Sequence, residues 1–147
     1  MININPKIWG QAGWIFLHSI TFSYPVNPDE NDRNRMKNFF LNVQYILPCE
    51  RCQNNYHRHL QELPLNDFVL STRKNLIEWL INIRNKSNNE LGKPNLTLKD
   101  VIFQLESGSL SSEKKEALIK FDTSKLVIIL LIVIVILLII YYKYLKN

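Results

Sequence analysis

Up to about residue 105 the apolar positions recur every three or four residues, and no stretch alternates apolar and polar over the length of a strand. The pattern predicts an all-α domain: a four-helix bundle with a short fifth helix, its helices joined antiparallel by brief turns. A first helix is expected from Pro6 to about Phe22, with Ile8, Trp9, Ala12, Ile15 and Phe16 on one broad face, and Pro25 and Pro28 break it. A second runs from Asp29 or Asn31 to Ile46, acidic at its start, with Met36, Phe39, Phe40 and Val43 at helical spacing. A third is expected to start at Pro48 and to reach Leu60 or Leu63. Pro64 to Phe68 reads as a loop. Thr72 then caps a fourth helix with Leu76, Ile77, Leu80 and Ile81 inside, ending near Gly92, and Thr97 caps a short fifth bearing Leu98, Val101, Ile102 and Leu105.

The periodicity vanishes after that. Residues 106–124, with Gly108 and several serines and charges, read as a linker, and Leu126 to Ile140 is unbroken Leu, Ile and Val, followed by Tyr141 and Tyr142. Lys125 and Lys143 flank the run as interfacial anchors would. The expected organisation is therefore a catalytic-sized domain over 1–105, a linker over 106–124 and a transmembrane tail anchor over 125–144, in contact with a membrane through residues 126–142. A buried core helix is the alternative, but a core helix this long normally carries polar positions. Met1 to Gly13 has no basic region followed by an apolar run and does not read as a signal peptide. The expected localisation is a single-pass, tail-anchored membrane protein with its domain on the cytosolic side.

The 147 residues carry a formal charge of +5, but no basic stripe with interleaved aromatics predicts nucleic-acid binding. The chemistry concentrates in Leu47-Pro48-Cys49-Glu50-Arg51-Cys52, which holds the two cysteines of the chain. A structural disulfide is a poor reading, because closing so short a loop removes little chain entropy. Zinc with His57 and His59 fails on helix geometry: Cys52 and His59 share a face about 10 Å apart along the axis, and His57 points elsewhere. A redox pair at a helix start, where thiolates are favoured, is the best reading on spacing. No strands surround it, so it is not a thioredoxin-type motif. Dithiols react slowly with O2, so an oxidase built on this pair calls for a flavin, and the chain has no Gly-x-Gly-x-x-Gly fingerprint for a Rossmann-type site. Trp14 and His18, at i and i+4, lie on one helix face able to line a planar ligand.

Three blocks in order add a resemblance. Trp9-Gly10-Gln11-Ala12-Gly13-Trp14-Ile15-Phe16-Leu17-His18 resembles the first-helix signature of the Erv/ALR FAD-linked sulfhydryl oxidases, and Pro48-Cys49-Glu50-Arg51-Cys52 resembles their active-site motif. Trp79 followed by Asn85, Asn88, Leu91, Gly92, Lys93 and Pro94 resembles their W…HN-x-VN-x-x-LGKP block, with matching spacing from Asn85 onward. The resemblance spans roughly residues 7 to 105 and includes the compact members of large DNA viruses. It implies FAD as cofactor, held by Trp14, His18, Cys52, Trp79, Asn85, Asn88 and Lys93, with Cys49 and Cys52 as the catalytic pair and no metal. Cys49 would accept electrons from a client dithiol through a mixed disulfide, Cys52 would pass them to FAD, and O2 would be reduced to H2O2. The implied partners are a protein dithiol, in particular a thioredoxin-like carrier, and a second copy of the chain. The implied setting for the anchor is a host or virion membrane.

The chain departs from the pattern at several positions. The Arg usual three residues before the flavin-facing Trp is Gln11, the His of the HN motif is Arg84, the following Val position is Ser87, and the tryptophan-rich end of the family domain has no match in Leu98 to Glu106. A shuttle cysteine pair is also absent from the sequence. The rival reading from another class is a membrane-anchored helical adaptor with a regulatory thiol pair and no cofactor. A third is a degenerate oxidase that binds FAD but turns over poorly.

Overall fold

A computed structural model describes residues 4–107 and, further along, residues 128–134, 137, 141, 142 and 146. The chain divides into two compact units, Met1–Leu110 and Ser111–Asn147. Among the described residues of the first, six helices follow one another: α1 (Pro6–Ser23), α2 (Glu30–Ile46), α3 (Glu50–Glu62), α4 (Asp67–Leu70), α5 (Arg73–Glu90) and α6 (Leu98–Ser107).

Their ends are set by caps and prolines. Asn5 accepts a hydrogen bond from the Lys7 amide ahead of Pro6, and Asp29 and Asp32 form a reciprocal capping box at the start of α2. Asn66 caps α4 and Thr72 caps α5. Tyr24 and Leu47, each preceding a proline, take extended or near-extended backbone and stop α1 and α2. The third helix begins two residues later than expected. Cys49 has extended backbone (φ −157°, ψ 115°) and acts as its N-cap, so the helix proper starts at Glu50. Part of the expected 64–68 loop is helical, because Asn66 nucleates the single turn α4. At the other end, α6 carries on to Ser107, two residues into the expected linker, and residues 108–124 lie outside the described part of the chain.

Helix α5 is the axis of the unit. It packs against α1, α3, α4 and α6, while α2 lies on α3 and α4. Leu76, Ile77, Leu80 and Ile81 are buried as expected, joined by Trp79, Ile83, Arg84 and Asn88, so this helix is covered on nearly every side. Phe40, Leu70, Leu76, Leu80 and Ile83 form the fully buried centre, and Ile77, Ile81 and Val101 make a smaller cluster under α6. The face expected on α1 is only partly used. Ile8 and Phe16 remain 79% and 60% exposed, and the residues α1 buries are Leu17, His18 and Thr21.

The expected transmembrane helix is not supported. Among the described residues no helix is long and apolar enough to cross a membrane. Residues 125–127, 135, 136, 138–140, 143 and 144 lie outside the described part of the chain. The membrane helix in the fold class, the membrane contact through 126–142 and the tail-anchored localisation are corrected accordingly.

Tyr24 shows how the loops are tied to the bundle. Its side chain is 1% exposed and donates to the Leu70 carbonyl at 2.9 Å, while its own carbonyl accepts from Arg73 Nε. Tyr24→Phe removes the donor and leaves that carbonyl buried and unpaired, so we expect a loss of about 1–3 kcal/mol. Urea unfolding followed by far-UV circular dichroism measures it.

Candidate functional site

Cys49 and Cys52 are joined by a disulfide across the first turn of α3, with their Cα atoms 5.1 Å apart. Cys49 Sγ also accepts the backbone N–H of Cys52 at 3.2 Å, filling the role a Ser or Asp side chain usually plays at a helix start. Cys49 is buried and Cys52 half-buried. Both line a cavity of about 380 Å³, within the range of sites that enclose small cofactors.

The cavity has unequal walls. Trp9, Trp14, Leu17, Phe39, Val43 and Leu47 from α1, α2 and the turn after α2 make an apolar side, and Arg51, Asn55, Ser87 and Glu90 from α3 and α5 make a polar end. Gly10 and Gly13 contribute bare helix surface to the same wall. A Cβ at Gly10 would meet nothing within 4 Å, and one at Gly13 would touch only the Trp9 ring at 3.4 Å. A flat apolar ring can therefore approach α1 closely beside the disulfide. Tyr56 borders the cavity with its hydroxyl donating to the Phe40 carbonyl at 3.2 Å, and burial pushes its phenol above the usual range.

At the polar end Glu90 gathers three donors from α3. Asn55 Nδ2 lies 2.9 Å away, His59 Nε2 lies 2.7 Å away, and Arg58 makes a close ion pair. Partial burial works against its charge, but the His59 hydrogen bond and the neighbouring cations win and hold the carboxyl below its usual range. This cluster fastens the last turn of α5 to the cysteine-bearing helix. His59 is thus engaged with Glu90, and His57 faces Gln44 at 2.6 Å and Gln61 at 3.0 Å. The two histidines considered as zinc ligands have separate partners.

Behind the apolar wall lies a polar group that nothing satisfies. The Trp14 and His18 rings are 6.3 Å apart, and the Arg84 guanidinium carbon sits 5.9 Å from the centre of the Trp14 ring. Both ring nitrogens of His18 and Nε and Nη1 of Arg84 are buried without a hydrogen-bond partner. Burial, reinforced by the Arg84 cation, pushes the His18 pKa down to about 3, and burial lowers that of Arg84 to about 10. Orphaned buried polar atoms of this kind are expected where a ligand completes the interior.

The expected site residues thus divide into two groups. Cys49, Cys52 and Trp14 meet at one cavity, with His18 directly behind Trp14. Trp79 does not line it: its ring packs edge-on against Phe40 at 5.2 Å and its indole N–H donates to the Leu63 carbonyl at 2.9 Å. Asn85 and Asn88 spend their amides on the chain that follows α5. Asn85 exchanges two bonds with Leu96, at 2.9 and 2.8 Å, and Asn88 donates to the Pro94 carbonyl at 3.1 Å. Gly92, at φ 65°, makes the turn, and Lys93 stands exposed on it. Sequence reasoning left out Arg84, Gly10 and Glu90. Arg84 was visible only as a departure from the family pattern, and a single Arg or Glu within a polar helix reads as solvent-facing.

Comparison with known proteins gives this geometry a context. The model of the Erv1 / Alr family matches residues 11–106. A protein of Acanthamoeba polyphaga mimivirus described as a probable FAD-linked sulfhydryl oxidase is 42% identical over 114 residues, covering 78% of this chain and 79% of its own. One of Invertebrate iridescent virus 3, described as a putative FAD-linked sulfhydryl oxidase, is 35% identical over 100 residues, covering 68% and 67%. The crystal structure of the yeast Erv1 core aligns with a TM-score of 0.62 and 26% identity, over 74% of this chain and 90% of that one. With its cysteine pair, Trp14 and nearly all of its helical frame inside the matched stretch, the chain belongs to the Erv1 / Alr family.

Proposed function

We infer that this protein is an FAD-dependent sulfhydryl oxidase, forming disulfides in protein thiols with O2 as acceptor and H2O2 as product. The observation that carries the reading is the Cys49–Cys52 disulfide set into a tryptophan-walled cavity in a member of this family. The residues fit the cofactor on two counts. The glycine-smoothed wall of α1 suits a flat ring, and the unpartnered nitrogens of His18 and Arg84 lack the ligand atoms they would bind. Trp14, His18 and Cys52 are the residues we assign to it. Trp79, Asn85, Asn88 and Lys93 support it by shaping α5 and the turn after it, with Lys93 exposed and able to meet a phosphate as a point charge. When bound, the flavin supplies the two-electron acceptor that O2 can reoxidise, which a dithiol alone lacks.

The chain's own part is thiol–disulfide exchange. A client thiolate attacks Cys49 Sγ: a client–Cys49 bond forms, the Cys49–Cys52 bond breaks and Cys52 leaves as thiolate. The client's second thiolate then attacks the client sulfur of that mixed disulfide and expels Cys49. The Cys52 amide pointing at Cys49 Sγ and the α3 N-terminus stabilise the departing thiolate, and a stabilised leaving group speeds this step. The client ends two electrons poorer, and Cys49 and Cys52 hold those electrons and two protons as a dithiol. Closing the pair again releases both.

The sequence contains no further cysteine to act as a shuttle, so clients must reach this pair directly. A thioredoxin-like carrier with its own dithiol is the partner we propose, and exposed Ile8 and Phe16 on α1 are available to a second copy of the chain. We place the oxidase domain at residues 1–105, within the compact unit Met1–Leu110, with a linker over 106–124.

The full chain, purified, should be yellow with flavin absorbance, and should consume O2 and release H2O2 when given a reduced thioredoxin-like protein. A colourless protein inert to dithiols would favour the adaptor reading. Cys52→Ser should abolish reduction of the bound flavin by dithiols. Cys49→Ser should keep its flavin but lose turnover of protein substrates by about 100-fold or more. Stopped-flow absorbance and an oxygen electrode read the two, and undiminished oxidase activity in both variants would rule the scheme out.

A further inference from the structure

The turn between α2 and α3 carries Cys49 and is short of backbone donors. Pro48 has no N–H, and Cys49 stands extended ahead of α3. Were α2 to continue, the Tyr45 carbonyl would take the N–H of residue 49, and the Leu47 carbonyl that of residue 51. With the helix broken at Pro48, one side chain meets both. Gln53 Nε2 donates to the Leu47 carbonyl at 2.8 Å and to the Tyr45 carbonyl at 3.2 Å. Both acceptors are carbonyl oxygens, so the NH2 end of the amide faces them, and its two N–H groups match them in number.

Gln53 directly follows Cys52, and its backbone N–H donates to the Cys49 carbonyl at 3.0 Å. One residue therefore grips the main chain at positions 45, 47 and 49 from the first turn of α3. The Leu47 side chain packs against the core, but it is Gln53 that ties the carbonyls on either side of Ile46. While the disulfide is closed, its own covalent link keeps Cys49 beside Cys52. Once it opens, that link is gone, and only non-covalent ties limit how far Cys49 strays. How readily two thiols close again follows the effective concentration of one at the other, which falls as the open pair gains freedom.

We propose that Gln53 is a positioning residue for the redox pair: its amide pins the end of α2 to the first turn of α3 and holds Cys49 at Cys52 after the disulfide has opened. The assignment rests on the reading of Cys49 and Cys52 as an exchange pair given above, and it adds a residue that does not line the cavity. Gln53 acts through Cys49 and not on the reacting sulfur itself. Removing its donor leaves the closed pair held by its own bond and frees the open one, so the balance shifts toward the dithiol.

The test equilibrates the full chain without oxygen in buffers of reduced and oxidised glutathione, traps free thiols by alkylation and counts them by mass spectrometry. In that equilibrium the Cys49–Cys52 bond breaks, two reduced glutathione molecules join as oxidised glutathione, and their two protons end on Cys49 and Cys52. Gln53→Met and Gln53→Ala lack the donor, and Gln53→Lys keeps one. The two donorless variants should lower the equilibrium constant for closing the pair by about 10-fold, the effect of one to two neutral hydrogen bonds. For two electrons this raises the reduction potential by about 30 mV. Gln53→Lys should stay within about threefold of the wild type. Thermal unfolding of the oxidised proteins is followed in parallel. An unchanged potential in Gln53→Met and Gln53→Ala, with or without a lowered Tm, makes Gln53 a structural contact only and overturns the proposal. A shift confined to Gln53→Lys is a charge effect, and an equal shift in all three shows that the donor is irrelevant; either overturns it as well. A wild-type pair that stays closed even in excess dithiothreitol refutes the exchange reading itself, whatever the variants do.

Discussion

A helix start leaves backbone N–H groups without partners, and in α3 the side chain that meets one of them is the sulfur of Cys49. This ties fold to chemistry at a single atom. Pro48 stops α2 and forces an extended residue ahead of α3, the extended residue becomes the cap, and the cap is half of the disulfide. The same arrangement directs the positive end of the helix at both sulfurs. A serine at position 49 would cap α3 about as well. What it would remove is the exchange chemistry, so the cysteine cannot be explained by capping alone.

The second constraint is the crowding of α5. A helix packed by four others has little room for polar side chains, yet α5 buries Trp79, Arg84 and Asn88 along with its aliphatic residues. Each was resolved differently. Trp79 hands its N–H to Leu63, Asn88 hands its amide to Pro94, and Arg84 keeps two nitrogens unmatched. The first two are local solutions that fix where α3 ends and how the chain turns after α5. They contrast with the place, shared by His18 and Arg84, where most of the unmatched buried atoms among the described residues gather. His18 reaches that place from α1, while the Thr21 hydroxyl beside it is already spent on the His18 carbonyl at 2.8 Å.

How far the sequence foretold this depends on what kind of signal each feature leaves. Helix limits were legible where a proline or a capping side chain stood, as at Pro25, Asp29, Pro48 and Thr72. The four-residue α4 is shorter than any period and left no trace. The inner face of α5 was legible from its aliphatic spacing. That of α1 was misleading, because two of its conspicuous apolar residues, Ile8 and Phe16, stay exposed while the polar His18 and Thr21 are buried. The cysteine pair and Trp14 could be found because their spacing is chemically unusual. Asn85 and Asn88 were recognised by position, but whether an amide serves a ligand or a turn depends on neighbours that spacing does not reveal. Arg84 was legible as a departure from the family pattern, but its burial was not, because hydropathy assigns an arginine to water.

One pair of sulfurs must serve both the client and the cofactor, and this fixes an order of events. In the scheme proposed above, Cys52 is a free thiol while Cys49 is bonded to a client, and no electron pair can leave. Only after the client departs can the two sulfurs rejoin. Anything that slows client release therefore holds the cofactor idle, and the thiolate-stabilising cap at Cys49 acts on that release. The cavity's uneven walls belong to the same logic. Apolar residues of α1 and α2 line the cavity beside both sulfurs, and Glu50 and Arg51 stand exposed next to them in the first turn of α3. A chain with a second cysteine pair can separate these tasks in space. In the proposed scheme, with Cys49 and Cys52 alone, they would be separated in time.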